Sequence, residues 1–201
     1  MPCSTCDVRA CVKGGAYPET CTANLCAPGK LDEILDLYTA PQYHDVMRVA
    51  LDTYHEAVAN KWTRVQEVVF FAREMGFTRI GIASCLSYAH EAGMLAEALR
   101  AEGFEVVDAM CKMGGLRQSS IGLRKDETKP DGALCNPVMQ ADALNHAETD
   151  MNLVVGLCLG HDMLFNHHAH ALTTTLAVKD QSLGGPKFFR QALESWHLTA
   201  S

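Results

Sequence analysis

The sequence predicts an α/β fold: a single Rossmann-like parallel sheet with flanking helices and a cysteine-rich N-terminal arm. Three observations carry this. Short β-branched or apolar runs at 79–84, 104–110, 152–157 and 173–178 alternate with helical patterns, and such alternation builds parallel sheets with right-handed crossovers. Four cysteines, Cys85, Cys111, Cys135 and Cys158, each fall where a strand ends or a helix begins. Residues 1–29 instead hold Cys3, Cys6, Cys11, Cys21 and Cys26 among Gly14, Gly15, Pro18 and Pro28, with almost no apolar periodicity. Such a segment cannot bury a core of its own. The chain therefore divides into a metal-binding arm over 1–29 and an α/β domain over 30–201.

Taken in order, a short helix is expected over 31–38. Pro41 is suited to a first helical position and opens a helix through Val46, Val49, Ala50, Tyr54 and Val58. The next carries Val65, Val68, Val69, Ala72 and Met75 at helical spacing, with Gly76 as its C-terminal stop. After the strand at 79–84, a helix over 87–100 turns Ala92, Leu95, Ala96 and Leu99 inward and closes at Gly103. The polar stretch 112–134 follows the second strand; loops of that length in compact domains tend to carry function. Asn136 caps a helix that starts at Pro137. A short helix at 162–168 separates the third and fourth strands, and a helix over 188–196 closes the domain. A sheet of about four or five strands results, with the arm folding over its carboxyl edge.

Composition narrows the function. The chain has 201 residues, a formal net charge of -7 and no basic run, which argues against nucleic acid and an anionic membrane surface. No apolar stretch reaches about 18 residues, so no membrane span is expected. Met1-Pro-Cys-Ser-Thr-Cys6 lacks an apolar leader core. A cytoplasmic location follows, where nine thiols stay reduced and more often serve metals or redox chemistry than disulfides.

The carboxyl ends of parallel strands face one crevice, where ligands bind. With strands about 4.8 Å apart, thiols there can share one centre. Cys85, Cys111, Cys135 and Cys158 are thus the expected ligands of an iron–sulfur cluster, with zinc as the alternative, since tetrahedral zinc accepts the same donors. For any one of them, a buried thiol acting as a small hydrophobe is the plain alternative. The arm reads C-x2-C-x4-C-x9-C-x4-C, a set for a second metal that names no particular ion.

Other residues are candidates for catalysis. In Gly156-Leu-Cys-Leu-Gly-His-Asp162, Gly160 allows close backbone approach, His161 is a ligand or proton carrier, and Asp162 is expected to cap the following helix. Cys111-Lys-Met-Gly-Gly115 either sets Lys112 and backbone N–H groups to bind an anion or lower a nearby thiol pKa, or is a flexible turn with a solvated lysine. Lys179 and Asp180 follow the fourth strand as an ion pair or as substrate contacts. His167-His-Ala-His170 reads as a solvated surface cluster. Asn136, Gln140 and Asn145 are explained equally well as cap and surface residues or as ligand contacts. Serine-hydrolase, P-loop and dinucleotide-binding glycine signatures are absent. Three functions remain: a metal-binding or electron-carrying protein, a redox or sulfur-transfer enzyme with an open cluster position, and a structural zinc protein with a small-molecule, redox or protein partner.

At Cys135-Asn-Pro-Val-Met-Gln-Ala-Asp-Ala-Leu-Asn145, Thr149-Asp-Met-Asn152 and Val154-Val-Gly-Leu-Cys-Leu-Gly-His-Asp162, the chain resembles the prokaryotic DUF1847 family. The cysteine-rich start, Gly81-Ile-Ala-Ser-Cys85, Cys111-Lys112 and Val178-Lys-Asp180 extend the resemblance over most of the chain. Members of that family are commonly labelled metal-binding. The resemblance implies Cys85, Cys111, Cys135, Cys158 and His161 as the preferred site. This chain has Ser87 where that family usually has a glycine close after the first of these cysteines.

Overall fold

The structure is a computed structural model, and it describes residues 3–180, 189–191, 193 and 194. Two compact units make up the chain, Met1–Arg48 and Val49–Ser201. In the first unit, a short turn at Cys3–Thr5 precedes α1 (Ala10–Lys13), and a second at Thr22–Leu25 lies between α1 and α2 (Lys30–Thr39). Helix α3 (Pro41–Asn60) begins at the proline, where a missing N–H leaves no backbone bond unmade. It seats a narrow seam, with Val49 and Thr53 buried and Val46 and Ala57 half-buried. Tyr54 and Val58, expected to share its apolar line, are each 63% exposed. Small side chains at Thr53 and Ala57 fill the seam instead, and the apolar stripe is wider than the surface it covers.

The second unit is built on α4 (Arg64–Glu74), β1 (Arg79–Ser84), α5 (Ala89–Ala101), β2 (Glu105–Met110), α6 (Pro137–His146), β3 (Met151–Val155), α7 (Leu159–His168) and β4 (Leu172–Ala177). Thr63 and Gln66 form a capping box at the start of α4, and Gly76 ends it with φ +70°. Ala92, Leu95, Ala96 and Leu99 of α5 are all buried. Of the last expected helix, 188–196, the described residues 189–191, 193 and 194 are helical, and Phe189 and Leu193 are buried in the core.

The sheet is wholly parallel, in the order β2-β1-β3-β4. The chain leaves β1 to one side for β2 and returns on the other for β3. The switch point between β1 and β3 is where ligands bind in open sheets of this kind. Register is set by what each strand buries: every residue of β3 is buried, as are Ile80 through Ser84 of β1. Asp150 ties the two amino ends together, its carboxylate accepting from the backbone N–H groups of Thr78 and Arg79 at 2.8 Å each.

Candidate thiol site

The pairing Ser84↔Met110 makes Cys85 and Cys111 register neighbours just beyond β1 and β2. The backbone continues the ladder there, Cys111 N–H donating to Ser84 O at 2.9 Å and Cys85 N–H to Val155 O at 3.0 Å. Leu86 N–H then donates to Cys111 Sγ at 3.3 Å. Cys135 ends the long loop; the following Asn136 N–H donates to Cys111 O at 2.7 Å, and the Cys135 side chain stands close enough to raise the Cys111 thiol. Cys158 leaves β3 through Gly156 and is the extended residue before α7. Lys179, just after β4, joins the two halves: its ammonium lies 3.2 Å from Cys85 Sγ and 3.7 Å from Cys158 Sγ.

The four thiols predicted to share an edge do so, in two linked pairs: Cys111 with Cys135, and Cys85 with Cys158 through Lys179. As they stand, no three His, Cys, Asp or Glu side chains among the described residues are arranged to hold a metal ion. Cys85 and Cys111 are buried, while Cys135 and Cys158 are half-exposed on loops. A shared centre requires the four thiols to draw closer together than they stand here.

Electrostatics separates the thiols. Burial pushes Cys85 up, but the Ser87 hydroxyl at 3.2 Å, the Ser87 backbone and Lys179 outweigh it, so its pKa is lowered. Burial pushes Cys111 up as well, and there it prevails, to about 11; the Leu86 N–H opposes it, and Cys135 and Cys85 add to it. The expectation that Lys112 lowers its neighbouring thiol is therefore not met for Cys111. Lys112 instead donates to Ala133 O at 2.8 Å and pins the end of the long loop. Lys179 is shifted up, since its bonds and charge contacts to Cys85 and Cys158 outweigh burial.

His161 sits in the first turn of α7, its N–H donating to Cys158 O at 2.8 Å. Its Nδ1 is buried with no hydrogen-bond partner. Burial lowers its pKa, and the charges of Lys112 and Lys179 lower it further. Asp162 is not the cap of α7. The helix starts at Leu159, one turn earlier than expected, and Cys158 occupies the cap position. The Asp162 carboxylate accepts from Asn166 Nδ2 at 2.6 Å and meets Thr175 Oγ1 at 3.5 Å. Gly160 makes no close approach, because a Cβ there would meet open space. The required glycine is Gly156, with φ +65° and the Tyr88 ring 2.3 Å from where a Cβ would stand. Tyr88 is itself buried, and its hydroxyl bonds Val178 O at 3.3 Å.

Two residues weighed as ligand contacts prove to be supports. Gln140 is fully buried, and its Nε2 donates to Ser84 O at 3.1 Å and Ala109 O at 2.6 Å, bracing the ends of β1 and β2 beneath their cysteines. Asn145 bonds His168 O and the His170 N–H, each at 2.8 Å. His167, His168 and His170 are exposed, as expected of a surface cluster. In the first unit, Cys3 Sγ lies 3.3 Å from Thr22 Oγ1, which brings the C-x2-C start beside Cys21. Cys3, Cys11 and Cys26 are exposed, and Cys6 and Cys21 half-exposed. No helix among the described residues is long and apolar enough to cross a membrane.

A family profile described as "Protein of unknown function (DUF1847)" matches residues 21–176. The chain is 35% identical over 183 residues to "Uncharacterized protein MJ0455" of Methanocaldococcus jannaschii, across 91% of this chain and 89% of that one. No solved structure matches.

Proposed function

The chain belongs to the DUF1847 family, and we propose that it binds a soft-metal centre, an iron–sulfur cluster in preference to zinc, at Cys85, Cys111, Cys135 and Cys158. One observation carries the reading. Thiols from four different element ends lie along one edge of the sheet, and an ammonium stands between two of them, 3.2 Å from Cys85 and 3.7 Å from Cys158. Thiolate ligands bind as anions and release their protons to the solvent when a metal enters. Lys179 supplies a cation to Cys85 and Cys158 before that exchange. After it, the same lysine is placed to donate hydrogen bonds to ligand sulfur, a contact that tunes cluster potential. The arm cysteines Cys3, Cys6, Cys11, Cys21 and Cys26 hold a second metal in this reading.

The test is anaerobic purification, an absorption spectrum, and iron, sulfide and zinc assays on one sample. A brown protein absorbing near ~400 nm, with iron matched by sulfide, is the expected result. Colourless protein carrying only zinc overturns the cluster and leaves the structural zinc reading. Protein free of metal overturns both.

A second reading rests on a separate observation: the Cys85 thiol is lowered by Ser87 and Lys179, which outweigh its burial. That is the profile of a nucleophile, and it fits a sulfur-transfer enzyme with His161, Lys112, Lys179 and Asp180 serving the substrate. Metal-free protein whose Cys85 is alkylated faster at pH 7 than its other thiols selects this reading.

A further inference from the structure

Strands β1 and β3 are neighbours, and the chain leaves both at the same edge of the sheet. The Cys85 N–H donates to Val155 O at 3.0 Å, so the ladder runs one residue past β1. After β3 the chain turns at Gly156, with φ +65° against the Tyr88 ring, and Cys158 follows as the extended residue before α7. The same ring anchors the residue before Lys179, because its hydroxyl bonds Val178 O. The Lys179 ammonium then lies 3.2 Å from Cys85 Sγ and 3.7 Å from Cys158 Sγ. Two sulfurs within reach of one nitrogen are near neighbours. The ammonium they share rides on a flexible four-carbon stem, whereas the backbones that carry the sulfurs are held. Cys85 has its ladder bond, and Cys158 O accepts from the His161 and Asp162 N–H groups at 2.8 and 2.9 Å. The two thiols differ in access. Cys85 is 5% exposed and its sulfur also meets the Ser87 hydroxyl at 3.2 Å, while Cys158 is half-exposed.

We propose that Cys85 and Cys158 form a dithiol–disulfide couple that exchanges with small-molecule disulfides, Cys158 taking the substrate and Cys85 resolving it. Access sets the order, since a disulfide arriving from solvent meets the half-exposed thiol. Cys158 releases its proton to solvent and its sulfur attacks one sulfur of the substrate. The substrate S–S bond breaks, a Cys158–substrate disulfide forms, and the first substrate thiolate leaves and is protonated. Cys85 releases its proton in turn and attacks the Cys158 sulfur. The mixed disulfide breaks, the Cys85–Cys158 bond forms, and the second substrate thiolate leaves and is protonated. One disulfide is reduced to two thiols by two electrons, and the two cysteines are oxidised by the same two. Lys179 holds positive charge beside both sulfurs, where anions form at each step. The couple needs no metal and goes beyond the metal-binding reading. While it is oxidised, it withholds two of the four thiols from any centre.

The experiment uses full-length protein, assayed for metal as isolated, then reduced and freed of metal under anaerobic conditions. It is incubated with glutathione disulfide and glutathione at set ratios, quenched by alkylation and mapped by peptide mass spectrometry. A Cys85–Cys158 disulfide is expected, with one glutathione disulfide consumed and two glutathione thiols released per chain. Cys85→Ser is expected to trap glutathione on Cys158. Cys158→Ser is expected to take glutathione on Cys85 about tenfold more slowly. Absence of the Cys85–Cys158 disulfide at every ratio overturns the proposal, as does a disulfide that instead joins Cys111 to Cys135. Glutathione taken up faster at Cys85 in the one variant than at Cys158 in the other overturns the order of attack. Protein isolated with metal that forms no Cys85–Cys158 disulfide once the metal is removed overturns this proposal and leaves the metal reading standing. The disulfide in protein isolated free of metal supports the couple and overturns the metal reading.

Discussion

Replacing Lys179 by methionine keeps the bulk of the side chain and removes the ammonium that meets Cys85 and Cys158. The Cys85 thiol then rises, and its alkylation by iodoacetamide at pH 7, followed by peptide mass spectrometry, slows in step with the lost thiolate fraction. An unchanged rate would assign the lowering to Ser87 alone. Cys111 behaves in the opposite sense. Its folded pKa, about 11, lies above the ordinary thiol value of 9.0. Between those two values the unfolded thiol gives up its proton while the folded one keeps it, so metal-free reduced protein loses stability as pH rises through that window, by up to about 3 kcal/mol. Cys111→Ser flattens that slope in urea melts taken from pH 8 to 11. At this scale much of the site was legible, because cysteines at strand ends are visible as soon as the strands are. Gln140 carries a signal of its own: it shares the buried stripe of Pro137, Ala141 and Leu144. A polar residue on such a stripe must find buried partners, and here they are the carbonyls beneath two of the cysteines.

Elements are legible in the sequence where their cause is local, and less so where the cause is a neighbour. Arg79–Ser84 matches its expected bounds, and Pro41 and Asn136 start helices as expected. The α7 start was misplaced because Asp162 is a good cap by type, whereas the chain turns at Cys158 as it leaves the buried strand β3. Gly156 and Gly160 flank Cys158 almost alike in sequence. Only packing against Tyr88 shows which one must lack a side chain. Gly156→Ala therefore suffers both a left-handed backbone and a ring contact, and is expected to destabilise by roughly 3 kcal/mol in urea denaturation. Gly160→Ala, with open space, is expected to be far milder. If the two variants unfold at the same urea concentration, Tyr88 does not set the β3–α7 turn.

For the whole molecule, the β2-β1-β3-β4 order explains why cysteines distant in sequence converge. Cys85 and Cys158 flank the switch point, and Lys179 reaches across β3 from the far edge to meet both. The alternating pattern of the sequence made a parallel sheet legible, but not that order, because strand neighbours are chosen by long-range packing. Residues 1–29 lack apolar periodicity and are expected to form a separate arm. The compact unit that holds the arm cysteines runs to Arg48 and so includes α2 and the first turns of α3. Two units with two thiol sets lead to a stoichiometric prediction. Changing Cys3, Cys6, Cys11, Cys21 and Cys26 together to Ser is expected to lower total metal per chain while leaving acid-labile sulfide and absorbance near ~400 nm intact. Changing Cys85 and Cys111 to Ser is expected to abolish that sulfide and absorbance while the arm keeps its metal. Elemental analysis of both variants beside the unaltered protein decides it: if either set of changes removes all metal, the nine thiols serve one centre rather than two.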